Sequence, residues 1–119
     1  MTRVWIIGAT IAIASVAACG TNGGPSSCPA DEPASCPSPA PSYASDVAPL
    51  IQQYCISGCH NPNGSGSTVL ASWADIHVRV TTVYDQIYQC KMPLAGSPEP
   101  TDAERVLLLS WFVCGSPNN

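Results

Sequence analysis

Seven cysteines in a chain of 119 residues limit what this protein can be. That density points to an oxidising compartment or to covalent cysteine chemistry. Because the count is odd, at least one thiol does something other than close an internal disulfide. The length allows one folded domain. Eight acidic residues against four basic ones give a formal net charge of −4. This argues against a nucleic-acid partner, which needs clustered Lys and Arg. Collagen-like and coiled-coil readings fail for want of a Gly-X-Y period or charged heptads.

The first cysteine follows an address. Arg3 precedes an uncharged run from Val4 to Ala18, the length of a signal-peptide apolar region and short for a bilayer span. The run ends Val16-Ala17-Ala18-Cys19, which resembles the lipobox of bacterial lipoproteins. The resemblance implies a signal peptide over residues 1–18, cleavage before Cys19, and lipid on Cys19. Acyl chains there would contribute about 0.8 kcal/mol per buried CH₂ and hold the protein at a membrane surface. Gly20, where an Asp would suggest inner-membrane retention, leans the expectation towards the outer membrane.

Residues 19–43 read as a linker. Pro occupies positions 25, 29, 33, 37, 39 and 41 among Ser, Gly and Ala, so the stretch can neither form a core nor sustain a helix or ladder. A disordered, semi-extended tether is expected. Cys28 and Cys36 lie within it, and their spacing suggests a local disulfide.

From residue 44 to 119 the pattern is helical. Val47, Leu50, Ile51 and Tyr54 fall on one helix face, with Ser45 or Asp46 as the natural cap and an end near Cys55. Asn61-Pro62-Asn63-Gly64-Ser65-Gly66 is turn material. A second helix is expected from Ser72, where Ser72-Trp73-Ala74-Asp75 forms a capping box with a shortened acid. Trp73, Ile76, Val80, Val83 and Ile87 continue its face, with a break near Thr81-Thr82. Thr101-Asp102-Ala103-Glu104 caps a third helix running to about Cys114, with Gly115 as its C′ residue. No strand alternation appears, so the fold class is all-α. A domain this small usually needs a staple or a cofactor.

Cys55-Ile56-Ser57-Gly58-Cys59-His60 follows the first helix. Two thiols and an imidazole at a helix end suit covalent haem attachment. Cys55 and Cys59 would add to the two vinyl groups as thioethers, and His60 would bind iron as the proximal ligand. Met92, beside Pro93 in the loop before the last helix, can supply the distal sulfur.

This order resembles small bacterial class-I cytochromes c over most of residues 44–119. Asp46-Val47-Ala48-Pro49-Leu50-Ile51, Cys90-Lys91-Met92-Pro93 and Glu104-Arg105-Val106-Leu107-Leu108-Leu109-Ser110-Trp111 look like that family at corresponding places. One departure stands out: the family's usual motif has two residues between the cysteines, and here there are three. The extra residue must bulge, and Gly58 is the residue able to take the unusual φ. The resemblance implies three to four helices around one covalent haem c.

With Cys19 lipidated and Cys55 and Cys59 on haem, four cysteines remain. Of the three possible pairings, Cys28–Cys36 with Cys90–Cys114 ranks first; the latter would tie the Met92 loop to the closing helix. Parity closes equally if Cys55 and Cys59 form a disulfide. The function implied is one-electron transfer by a membrane-tethered monohaem cytochrome on the periplasmic side of the cell envelope, meeting a redox protein partner there. It is an electron carrier rather than an enzyme, and no catalytic set is expected. The alternative is a haem-free, disulfide-stapled lipoprotein serving as an interaction or structural module. His77 is a rival axial ligand. A zinc site is disfavoured, because adjacent Cys59 and His60 do not easily serve one tetrahedral ion. Trp73, Trp111, Tyr54, Tyr84 and Tyr88 are expected to line core or pocket.

Overall fold

The structure is a computed structural model describing residues 28–119. The expected signal peptide over residues 1–18, the expected lipid-bearing Cys19 and the expected linker as far as residue 27 lie outside the described residues. Within 28–119 the chain is all-α, with no strand among the described residues.

The first helical stretch, residues 43–60, is irregular. A π-helical turn at Tyr43–Val47 leads into one α-turn, α1 (Ala48–Ile51), and then into a second π-helical segment, Gln52–His60. Pro49 has no N–H to donate within the helix. Just ahead of it the Ala48 N–H reaches back five residues to the Tyr43 carbonyl, which is the wider π spacing. The stretch is capped earlier than the sequence suggests. Ser42, not Ser45 or Asp46, is the N-cap, its hydroxyl accepting from the Ser45 N–H at 3.3 Å. Asp46 answers by accepting from the Ser42 N–H at 2.8 Å. At the far end Ser57 and Gly58 leave helical geometry, and Gly58 takes φ +88°, as the extra residue of the motif requires.

The expected second helix is two. α2 (Trp73–His77) is capped by Ser72, whose hydroxyl accepts from the Asp75 N–H. The break falls at Val78-Arg79, ahead of Thr81-Thr82, and α3 (Val80–Tyr88) follows. α4 (Asp102–Val113) begins with a complete Thr101/Glu104 capping box. It ends with Gly115 at φ +85°, the Ser116 N–H bonding the Trp111 carbonyl and the Gly115 N–H the Phe112 carbonyl. That pair of bonds is the Schellman closure.

Val47 and Ile51, Ile76 of α2, Val83 and Ile87 of α3, and Leu108, Leu109 and Trp111 of α4 form the buried core. α4 packs on both α3 and the first stretch. The C-terminus closes the start of the first stretch: Asn119 accepts from the Ala44 and Tyr43 N–H groups and the Ser42 hydroxyl, each at 2.9 Å.

The disulfides differ from the expected pairing. Cys28 bonds Cys90, and Cys36 bonds Cys114. Neither Cys28–Cys36 nor Cys90–Cys114 forms. From Cys28 onward the Pro-rich segment is therefore part of the packed body rather than a free tether. Its Ala30 is buried and donates its N–H to the Tyr88 carbonyl at 2.7 Å. Glu32 accepts from the Tyr84 hydroxyl at 2.7 Å. A proline-rich strip cannot fold by itself, but it can lie along α3 and α4 where their ends carry cysteines. The bonds join residues 62 and 78 apart. In the chain-entropy account loops of that size contribute about 4 kcal/mol each, more than a local bridge.

Candidate functional site

The kink at Ser57-Gly58 turns Cys59 and His60 away from the helix axis, and residues 61–70 then fold back over them. The Cys59 carbonyl accepts from the Gly66 N–H at 2.9 Å and the His60 carbonyl from the Leu70 N–H at 2.9 Å. Asn61 ties both ends of the turn, its amide donating to the Ile56 carbonyl and its side-chain oxygen accepting from the Asn63 N–H. Two glycines permit this closeness. A Cβ on Gly64 would overlap the Cys59 carbonyl, and one on Gly66 would stand 2.9 Å from both that carbonyl and His60 Nδ1.

The result is a fixed imidazole. His60 Nδ1 lies 2.7 Å from the Thr68 carbonyl. A carbonyl only accepts, so Nδ1 carries the proton, and in the neutral ring Nε2 keeps its lone pair. A backbone carbonyl holding the far nitrogen is the usual way a protein orients a ligating histidine.

A cavity of about 480 Å³ opens beside this ring, lined by Cys55, Cys59, His60 and Leu70 on one side and by α3 residues Val83 and Ile87. The loop after α3 adds Met92, Pro93 and Leu94. Its wall is mostly apolar, and its volume lies in the range that takes organic ligands and cofactors. All four haem-site residues expected from the sequence thus face one cavity. Cys55 and Cys59 are unbonded, both half-buried. Burial pushes the Cys55 thiol up to about 11, against the opposing pull of the Arg105 guanidinium, so it is held as S–H. His77 does not join them: it is exposed and stacks on Trp73 with ring centroids 4.3 Å apart. Of the aromatic residues, Tyr54 lines the cavity, Trp111 is core, and Tyr84 and Tyr88 stack on each other at 5.6 Å.

The donor set fits a metalloporphyrin. It offers two thiols for thioether bonds, one oriented imidazole and one thioether sulfur. Among the described residues no three His, Cys, Asp or Glu side chains group closely enough to hold a bare ion.

Four contributors escaped the sequence reading. Thr68 acts through its carbonyl, which no side-chain pattern signals. Gly64 and Gly66 looked like ordinary turn residues. Arg105 is buried at 1% exposure. Its signal was present, since it precedes Leu108 and Leu109 by three and four residues and so sits on the apolar face of α4. Compared with protein-family models, curated proteins and solved structures, the chain matches none.

Proposed function

We propose that the domain is a monohaem c-type cytochrome, lipid-anchored through Cys19 in the bacterial cell envelope, that carries one electron at a time. The observation that carries this reading is the His60 ring, pinned through Nδ1 to the Thr68 carbonyl and lining the same cavity as Met92 and both free cysteines. The Cys55 and Cys59 thiols would each add S–H across one vinyl double bond, the hydrogen going to the other vinyl carbon, with no net oxidation. Haem, when bound, supplies a one-electron iron couple. His60, through Nε2, and Met92, through its sulfur, would hold the iron, and the chemistry the group would supply there is one-electron transfer. A methionine ligand and a mostly apolar pocket favour the ferrous state and raise the potential. The acidic balance of the chain suits either a redox protein partner with a basic docking face or an encounter with little electrostatic steering.

Intact-mass analysis and an absorption spectrum of protein made in a host with working haem attachment test the reading. The expected result is one haem adduct, with Cys55 and Cys59 resistant to alkylation. Met92→Ala should abolish the sulfur-to-iron band while the haem stays attached. A colourless protein with Cys55 and Cys59 joined to each other overturns the proposal in favour of a disulfide-stapled interaction module.

A further inference from the structure

Arg105 is a buried cation that the haem-attachment chemistry does not use. Its Nη1 donates to the Ile87 carbonyl at 3.0 Å and to the Met92 carbonyl at 3.2 Å. Nη2 faces the Glu99 carboxylate at 3.7 Å, and the buried Nε has no hydrogen-bond partner. One planar fork therefore touches the end of α3, the entry of the following loop at Met92, and that loop's later part at Glu99. Met92 is held from the other side too: its own N–H donates to the Gln86 carbonyl at 3.1 Å. A methionine side chain has three rotatable bonds and adapts to whatever surrounds it. Fixing its backbone at both the N–H and the carbonyl is how such a residue acquires a defined direction. A buried guanidinium left with an orphaned N–H carries a desolvation cost, which apolar packing at that position would avoid.

We propose that Arg105 is the positioning residue for Met92, holding the ligand loop so that the Met92 sulfur stays in the cavity lined by His60. The proposal rests on the haem reading for its consequence, the strength of the axial sulfur, but not for its geometry. Lysine at this position keeps the charge and loses the fork, so it separates geometry from charge.

The test uses haem-loaded full-length protein titrated with imidazole, which competes with the sulfur for iron. Arg105→Lys should bind imidazole at least tenfold more tightly than the wild type, with haem retained. Glu99→Gln, which leaves the guanidinium in place, should shift binding in the same direction by about threefold, and it serves where Arg105→Lys does not fold. Val47→Ala, a core truncation in the first helical stretch, should lower stability and leave imidazole affinity unchanged. Unchanged affinity in Arg105→Lys, or an equal change in Val47→Ala, overturns the proposal. If the protein carries no haem, the haem reading falls and the positioning is read directly from the Met92 methyl resonance. That resonance should be dispersed in the wild type and move towards its random-coil position in Arg105→Lys; a dispersed signal in both sinks the positioning role.

Discussion

The two sides of the cavity are held in opposite ways. The His60 side is secured within about a dozen residues of chain. Gly58 makes the bend, Gly64 and Gly66 let the returning loop lie on the Cys59 carbonyl, and the Thr68 carbonyl holds the ring. The Met92 side is secured from afar. Cys90 is bonded to Cys28, a separation of 62 residues, and the Met92 carbonyl is held by Arg105 from α4. The turn into the Met92 loop carries one of these remote ties. α3 ends in a Schellman closure, with the Lys91 N–H on the Gln86 carbonyl and the Cys90 N–H on the Ile87 carbonyl. The left-handed C′ position is taken by Cys90 at φ +53° rather than by glycine. A disulfide there occupies the site where glycine would be the easy choice. A locally closed wall survives loosening of the rest of the domain, whereas a remotely braced one depends on the whole fold.

Removing the remote brace should produce the largest effect. Replacing Cys28 and Cys90 together by Ser should lower unfolding free energy by about 4 kcal/mol, measured by urea denaturation. Amide exchange at Lys91 and Met92 should accelerate well beyond that at Gly66 and Leu70. The matched pair Cys36→Ser with Cys114→Ser should lose similar stability but leave the two walls equally protected, because Cys114 follows α4 and not the ligand loop. Equal acceleration on both sides in the first variant would break the distinction between the walls.

The converse comes from Gly64→Ala. The added methyl meets backbone, which cannot rotate away. The expected cost is about 2–3 kcal/mol. Exchange should quicken at Gly66 and Leu70, whose N–H groups bond the Cys59 and His60 carbonyls, while Met92 keeps its protection.

This contrast also explains what could be read from the chain. Capping boxes, the helical faces, the Gly58 bend and the Gly115 closure are local, and residue types within a few positions declare them. That four of the residues singled out would line one cavity was legible for the same reason: Cys55, Cys59 and His60 are one short motif, and Met92 sits beside a proline. The disulfide pairing was not legible. Proximity in sequence favoured Cys28–Cys36, but a proline-rich strip gains more by bonding to a folded surface, and which cysteines meet depends on where α3 and α4 end in space. The break at Val78-Arg79 was misplaced because the apolar face of Ile76, Val80 and Val83 runs on across it. Arg105 was visible as an arginine on an apolar face, yet its partners are carbonyls, and nothing in a side-chain pattern announces those.

A smaller effect tests how the first turn of α4 is tied to the first helical stretch. Glu104 accepts from the Thr101 N–H at 2.8 Å and from the Tyr54 hydroxyl at 3.0 Å, so it joins the start of α4 to the first helical stretch. The Thr101 backbone bond is the main cause holding its carboxyl below the ordinary glutamate range. A depressed folded value means this stabilisation is present above about pH 4.5 and is lost as pH falls through the folded value. Glu104→Gln should flatten that acid limb of the stability profile. Thr101→Ala should cost about 1 kcal/mol at neutral pH through the lost cap. A limb left unaltered in Glu104→Gln would assign the acid sensitivity to another carboxylate.

The smallest expected effect probes the docked strip itself. Tyr84 donates to Glu32, and that bond, with burial second, pushes the phenol up to about 12. The neutral phenol is favoured in the folded state, so the contact contributes below about pH 10 and is lost as pH rises from there towards 12. The pair is exposed, so its effect on the unfolding midpoint at neutral pH should be barely measurable. Its spectroscopic signature is not small. The tyrosinate absorbance difference between wild type and Tyr84→Phe isolates this one ring among the four tyrosines. Glu32→Gln should then bring its titration down towards 10. A Tyr84 that already titrates near 10 in the wild type would mean that the strip at residues 30–32 does not lie against α3. In that case Cys90 would be a covalent leash without a seat, and the bracing of the Met92 wall would fall to Arg105 alone.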